Sequence, residues 1–301
     1  MSKADSIKAK LKNLAVLEKK PYDYMLTMYC MERLIYRLSV SKYANNFVLK
    51  GGLFLYALLD EEARMTKDVD LLALQISNSI DNILKIFEEI LSFEADDGLM
   101  FKDEAIRSEQ IREDADYEGI RIKFDAYLDR TKIALPIDIG FGDIVSPDVQ
   151  IISYPALLTD ERILIRAYSF ESVVAEKFEA MVSLAQANSR MKDFYDIYQL
   201  SRLFDFEGSI LKEAILLTFK RRKTVFQNEP IVFQNGFVRS LEKVAQWTGF
   251  LKRIEADSSL EFQTVIENNR IFLEPVYLAI LANEPFFCRW KKEKREWVGL
   301  D

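Results

Sequence analysis

The sequence predicts an α+β protein: an N-terminal domain in which a mixed β-sheet is flanked by helices, followed by a helical C-terminal domain. Three observations predict it. Apolar residues recur at helical spacing over residues 22–44 and again over 79–92. Alternation of polar and apolar residues marks residues 117–127 (YEGIRIKFDAY) and 133–141 (IALPIDIGF). Beyond Glu161 the strand-like alternation thins out, while helical spacing continues to about residue 283. A period near 3.6 buries one stripe of a helix and a period of two buries one face of a strand, so the two patterns separate the halves of the chain.

Each element follows in order. Residues 3–20 have helical, lysine-rich composition, and residues 22–44 carry the apolar stripe of a buried helix. Phe47-Val48-Leu49-Lys50 is a short apolar strand ended by Gly51-Gly52, and a helix restarts over Leu53 to Leu59. Asp68 to Leu74 reads as a strand and residues 79–92 as an amphipathic helix. The acidic stretch from residue 94 to residue 118 is expected to be a solvated connecting segment. Pro147 and Pro155 bracket an extended piece, after which residues 171–187, 191–203 and 207–221 follow as successive helices. The expected domains are residues 1–160 and 161–301, the second all-helical.

Composition limits the chemistry. The chain of 301 residues is 49% hydrophobic and 30% charged with only ten glycines and seven prolines, so it has apolar material for a sizeable core and little for linkers. Its net charge of −7 disfavours non-specific coating of nucleic acid, but local basic runs can still meet phosphate. Two such runs stand beside aromatic residues: Lys220 to Lys223 (KRRK) near Phe219 and Phe226, and Lys291 to Arg295 (KKEKR) near Trp290 and Trp297. Each is either a nucleic-acid contact or a solvated face. Histidine is absent, which removes Ser-His, Cys-His and His-zinc chemistry together and leaves carboxylates, Lys, Arg, Tyr and hydroxyls. Cys30 and Cys288 are too few for a metal cluster and read as reduced core thiols of a cytoplasmic protein. The polar start MSKADSIKAKLKN and the lack of an apolar run of roughly 18 residues lead us to expect neither a signal peptide nor a membrane span.

The chemistry concentrates in KGGLFLYALLDEEARMTKDVDLL, Lys50 to Leu72. Asp68 and Asp70 lie at i and i+2, so on a strand they share a face about 7 Å apart and can hold Mg²⁺ or Mn²⁺ while leaving room for substrate phosphates. Alone, such a pair can equally cap a turn and end a loop. Gly51-Gly52 narrows the choice, because a strand-to-helix glycine turn lets backbone N–H groups approach a triphosphate, with Lys50 adding charge. Asp138 offers a third acid in an apolar strand, as in-line phosphoryl or nucleotidyl transfer requires. Farther on, Lys177 lies on a helix, and Ser189-Arg190-Met191-Lys192-Asp193 opens another. Arg190 and Lys192 can bind triphosphate oxygens, and Asp193 can hold Lys177 or Arg190, or act as a base. An ordinary charged helix pair would look the same.

Three segments taken together, Leu49 to Leu72 (LKGG…ARMTKDVDLL), Pro136 to Asp143 (PIDIGFGD) and Glu171 to Leu200, resemble the AbiEii-type nucleotidyltransferase toxins. These are the toxin half of type IV toxin–antitoxin and abortive-infection systems, within the DNA polymerase β-like nucleotidyltransferase superfamily. The resemblance covers about residues 45–205. It implies a nucleotidyltransferase-like sheet, with Gly51, Gly52, Asp68 and Asp70 as the first motif and Arg64 and Thr66 orienting its loop. Where many members carry a turn serine, this chain has a second glycine, which leaves the turn without a hydroxyl for phosphate. Asp138 then stands as the third acid, and Lys177 and Asp193 match a lysine and aspartate of the C-terminal domain, with Asp196 close enough to be confused with Asp193. The implied activity moves NMP from an NTP to an acceptor, with release of pyrophosphate. The implied cofactor is Mg²⁺ or Mn²⁺, the implied acceptor tRNA or another RNA, and the implied outcome growth arrest. The implied partner is an antitoxin encoded next door. Two rival expectations are a small-molecule nucleotidyltransferase of the antibiotic-resistance type and a non-catalytic nucleotide-binding module.

Overall fold

The computed structural model describes residues 2–59, 63–101, 106–112 and 118–300. The chain divides into two compact units, Met1–Asp143 with Val149–Tyr168, and Ile144–Asp148 with Ser169–Asp301. The whole is an α+β fold with a central mixed sheet.

In the first unit, α1 (Lys3–Leu17) opens on a capping box in which Ser2 and Asp5 satisfy each other's backbone N–H. Helix α2 (Tyr22–Val40) is buried around most of its circumference, from Tyr24 to Leu38. Then come β1 (Phe47–Lys50), α3 (Gly51–Leu59), β2 (Val69–Ala73), α4 (Ile80–Leu91) and β3 (Leu99–Phe101). Strands β4 (Arg107–Arg112), β5 (Glu118–Leu128), β6 (Thr131–Phe141), β7 (Gln150–Pro155) and β8 (Arg162–Ala167) complete it. The sheet order is β3-β5-β6-β2-β1-β8-β7, with β4 also pairing β5. The pairs β2–β6 and β1–β8 are parallel and the rest antiparallel.

Alternation along β5 and β6 decides which face is core. Ile120, Ile122, Phe124, Ala126 and Leu128, with Ile133, Leu135, Ile137 and Ile139, are buried on one face. Helix α2 packs against β6 and β8, and α4 against α2. The opposite face carries Arg121, Lys123, Asp125, Lys132 and Asp138. The sheet therefore has one apolar side and one ionic side, and the chemistry stands on the second.

Two expectations are corrected here. The acidic segment 94–118 is not simply solvated: it contains β3 and β4, and Asp97 is buried against Arg37 with oxygen–nitrogen distances of 2.5 and 3.2 Å. A carboxylate so paired can enter a core that an unpaired one cannot. Residues 102–105 and 113–117 of that stretch, with Tyr117 of the predicted strand, lie outside the described residues. Strand character also continues past Glu161, in β8, whose alternating buried residues Ile163, Ile165 and Ala167 form the β1-side flank of the sheet.

The second unit contains α5 (Phe170–Leu184), α6 (Met191–Leu203), β9 (Phe206–Glu207), α7 (Gly208–Arg221) and α8 (Asn235–Val238). It closes with α9 (Leu241–Ile254), α10 (Phe262–Leu281), β10 (Cys288–Lys291) and β11 (Glu296–Gly299). It is not all-helical, because β11-β10-β9 form a three-stranded sheet. Trp290 and Trp297 are cross-strand partners there, and Trp297 stacks on Phe272 at 5.7 Å and 1°. Trp290 is fully buried and donates to the Ser201 carbonyl at 2.6 Å. Neither indole is placed to stack on a base, so KKEKR is read as the end of a structural hairpin. The KRRK run is corrected in the same way. Phe219 is fully buried with Phe226 stacked on it at 4.7 Å, and Arg222 is held by Glu179 at 2.9 Å. Among the described residues no helix is long and apolar enough to cross a membrane.

Candidate active site

Strand pairing assembles the first part of the site. Lys50 lies opposite Asp70, Asp70 opposite Asp138, and Asp138 opposite Arg121, which makes one lateral row across β1, β2, β6 and β5. Directly opposed residues in adjacent strands project to the same face, so the row presents a cation, two carboxylates and a cation side by side. Asp68 precedes β2 on that face. Oxygens of Asp68, Asp70 and Asp138 all lie within 4.8 Å of one another. Three carboxylates at such range repel unless a cation stands among them.

Two protein groups fix the acids. Arg121 grips Asp138 as a fork, Nε and Nη2 each 2.6 Å from one carboxylate oxygen. Thr66, buried at 3% exposure, donates its hydroxyl to Asp68 Oδ1 at 2.8 Å. Lys50 stands at the other end of the row, 5% exposed, with Nζ 3.2 Å from Asp143 Oδ2. Arg64 is half-buried, its Nη1 3.5 Å from the Met65 carbonyl. The three carboxylates offer hard oxygen ligands that fit Mg²⁺ or Mn²⁺.

The glycine pair is built around the acids. Gly51 has φ +67°, and a Cβ there would stand 1.9 Å from Asp70 Oδ2; at Gly52 it would stand 2.4 Å from Thr66 Oγ1. Both positions lack side chains because Asp70 and Thr66 occupy that space. Gly51→Ala is therefore expected to swing Asp70 out of the cluster at a positive φ that L-residues disfavour. A displacement of about 1 Å at a reacting centre costs on the order of 100-fold in turnover. A steady-state assay, with circular dichroism showing an intact fold, checks this.

Arg121, which holds Asp138, is the member of this cluster that sequence reasoning missed, and a signal for it existed. Strands β5 and β6 are joined by the two residues Asp129 and Arg130, and Leu128 pairs with Thr131. Counting outward from that turn places Arg121 opposite Asp138, a register that a short hairpin loop fixes.

The second unit holds an ionic cluster of its own. Lys177 on α5 reaches both Asp193 Oδ1 at 2.9 Å and Asp196 Oδ2 at 2.8 Å, two acids one turn apart on α6. Arg190 Nε lies 2.9 Å from Asp193 Oδ2, and Lys192 is half-buried on the first turn of α6. Asp193 is fully buried. Burial alone would raise its pKa, but Lys177, Arg190 and Lys192, with the Lys177 hydrogen bond, more than offset this and hold it below the ordinary carboxylate value. Of the roles open to Asp193, holding Lys177 and Arg190 is thus realised for both partners. A carboxylate so stabilised as an anion is a weak base.

The model of the family described as "Nucleotidyl transferase AbiEii toxin, Type IV TA system" matches residues 33–268. No curated protein matches the chain. A crystal structure of a candidate nucleotidyltransferase from Helicobacter pylori is similar with TM-score 0.50 and 12% identity, covering 87% of this chain and 98% of its own. JHP933 from Helicobacter pylori is similar with TM-score 0.49 and 12% identity, covering 86% and 94%.

Proposed function

The chain belongs to the AbiEii nucleotidyltransferase toxin family, and from that premise we propose that it transfers a nucleoside monophosphate from an NTP to an RNA acceptor, with tRNA the first candidate. The observation that carries the reading is the convergence of Asp68, Asp70 and Asp138 within 4.8 Å on the ionic face of the sheet. Such a cluster is unfavourable for folding unless it serves a cation. Bound by these three residues, Mg²⁺ or Mn²⁺ would neutralise charge developing on the transferred phosphate.

The chain's own residues have distinct tasks in this proposal. Thr66 orients Asp68, Arg121 holds Asp138 against rotation, Gly51 and Gly52 leave the space that Asp70 and Thr66 fill, and the N-terminus of α3 that they open offers backbone N–H groups to a triphosphate. Lys177, Arg190 and Lys192 bind and neutralise the triphosphate. Lys50 and Arg64 add positive charge around the first motif. Asp193 and Asp196 keep Lys177 charged and fixed, so its ammonium acts as a preorganised cation rather than as a proton donor. In this proposal the outcome is growth arrest in the cytoplasm, relieved by an antitoxin encoded nearby.

The test is direct. The protein is incubated with Mg²⁺, each α-labelled NTP in turn, and total RNA. Label on one RNA class, with pyrophosphate released and with loss of both on chelation, is the expected result. Label on a small acceptor would instead make the chain a small-molecule transferase. NTP binding without transfer to any acceptor would make it a regulatory module.

A further inference from the structure

The ionic face of the sheet does not stop at the acids. Continuing along β5 and β6 away from Asp138, the register places Arg107 beside Lys123 and Lys123 beside Pro136; farther on, Asp125 faces Ala134 and Tyr127 faces Lys132. All of these project to the face of Asp138, because side chains two residues apart on a strand share a face. A groove of about 370 Å³ runs there, lined by Arg107, Lys123, Asp125, Lys132, Ala134 and Pro136 among others. The small Ala134 and the ring of Pro136 make a low floor, and the long cationic side chains stand along it. From Asp138 to Lys132 the strip covers seven residues of β6, six steps or about 20 Å at the rise of a strand.

Its charge runs against that of the chain. Arg107, Lys123 and Lys132 face Glu109 and Asp125, three cations to two anions once Arg121 is counted with the Asp138 it holds, in a chain of net charge −7. Lys123 pairs with Glu109 and Lys132 with Asp125, each at 2.8 Å, and Lys123 and Lys132 are more than half exposed. The Lys123–Glu109 pair is exposed on both sides and contributes about 0–1 kcal/mol, so a phosphate can displace Glu109 from Lys123 at little cost, whereas the Asp125 side chain is only 16% exposed and holds Lys132 more firmly. Arg107 is exposed and makes no ion pair among the described residues.

We propose that this strip binds the sugar-phosphate backbone of the acceptor RNA as a single strand and leads its reacting end to the acids. The proposal rests on the nucleotidyltransferase reading and deepens it. Charge complementarity names the occupant: a phosphodiester backbone repeats an anion along its length, as the groove repeats cations, and the groove reaches Pro136, two residues along β6 from Asp138. The rival small acceptor of antibiotic-resistance enzymes, an aminoglycoside, is itself polycationic and would be repelled. The aromatic-flanked KRRK and KKEKR runs, whose rings are packed inside the second unit, offer no such track.

The experiment is fluorescence anisotropy with a labelled single-stranded oligoribonucleotide, in EDTA across a salt series, so that binding is read without catalysis. The double variant Arg107→Ala/Lys123→Ala is expected to bind about tenfold more weakly at physiological salt. Its slope of log affinity against log salt should fall by about 1.4, at about 0.7 for each phosphate that is no longer neutralised. Lys220→Ala/Lys223→Ala, which removes the same charge from the exposed part of the KRRK run, is expected to leave both unchanged. Equal affinity and slope in wild type and the Arg107/Lys123 variant would overturn the proposal, as would equal weakening in the two double variants. Failure of transfer to any acceptor would sink the enzymatic reading but leave the binding result standing. Single substitutions at Lys123 and Lys132, each expected to give half the change in slope, keep the test open if the double variant folds poorly.

Discussion

Asp70→Ala is expected to lower nucleotidyl transfer on the order of 1,000-fold or more while leaving the unfolding midpoint unchanged or slightly raised. The two halves of that result have one cause. Asp70 sits between Lys50 and Asp138 in the row, with Asp68 and Asp138 oxygens within 4.8 Å. Removing one carboxylate relieves the repulsion from Asp68 and Asp138 in the folded state, which offsets the contacts that Asp70 makes there. The same removal takes away an anchor for the cation, whose several kcal/mol of charge stabilisation corresponds to about three powers of ten in rate. Residues with a scaffold role behave in the opposite way, losing stability and activity together. Urea denaturation and initial-rate measurements on Asp70→Ala, each with and without Mn²⁺, separate the two. The metal-free proteins should unfold alike, and only the wild type should gain stability from Mn²⁺. Marked destabilisation without metal would make Asp70 a structural residue.

Asp193→Ala is expected to show the reverse pattern, a loss of about 3 kcal/mol in stability. Asp193 is fully buried and meets Lys177 at 2.9 Å and Arg190 at 2.9 Å. Removing one member of a buried pair leaves the other charge desolvated, an effect of about 3–5 kcal/mol. The lower end applies because Asp196 still holds Lys177 at 2.8 Å. The pH dependence supplies a second readout. The carboxyl of Asp193 is held below its ordinary value, so its contribution to stability is present above about pH 4, the ordinary carboxylate value, and is lost as pH falls through the lower, folded-state value. Wild type should therefore lose more stability than Asp193→Ala between about pH 5 and about pH 3, with the comparison restricted to transitions that remain two-state. Asp196→Ala, whose loss leaves Lys177 with Asp193, separates the two acids. If transfer falls more in Asp193→Asn than in Asp196→Asn at equal stability, Asp193 is the functional acid.

Local pattern carried much of the fold into view. The stripe at residues 22–44 became α2, the apolar tetrad Phe47–Lys50 became β1, and the alternation at 133–141 lies within β6. The misses share a cause. Strands β3, β4, β9, β10 and β11 are two to six residues long, too short for a period of two to stand out from composition. Asp97 was legible as an acid, but its burial depends on Arg37, sixty positions away. Trp290 and Phe219 stood next to basic runs in sequence and turned out to be core, because adjacency along the chain does not say which way a ring points.

The sequence by itself determined the kind of chemistry. The absence of histidine removed Ser-His, Cys-His and His-zinc chemistry, and Gly51-Gly52, Asp68, Asp70 and Asp138 in strand-helix-strand surroundings suited metal-assisted work on phosphates, a reading that the family resemblance narrowed to nucleotidyl transfer. Only tertiary structure decided the partners: that Arg121 would fork onto Asp138, that Gly51 is empty because Asp70 fills its place, and that Lys177 serves two aspartates at once. The physical reason is range. Periodicity is a property of neighbours in the chain, whereas the strength of an ion pair is set by distance and burial in space, and strand register is what converts one into the other.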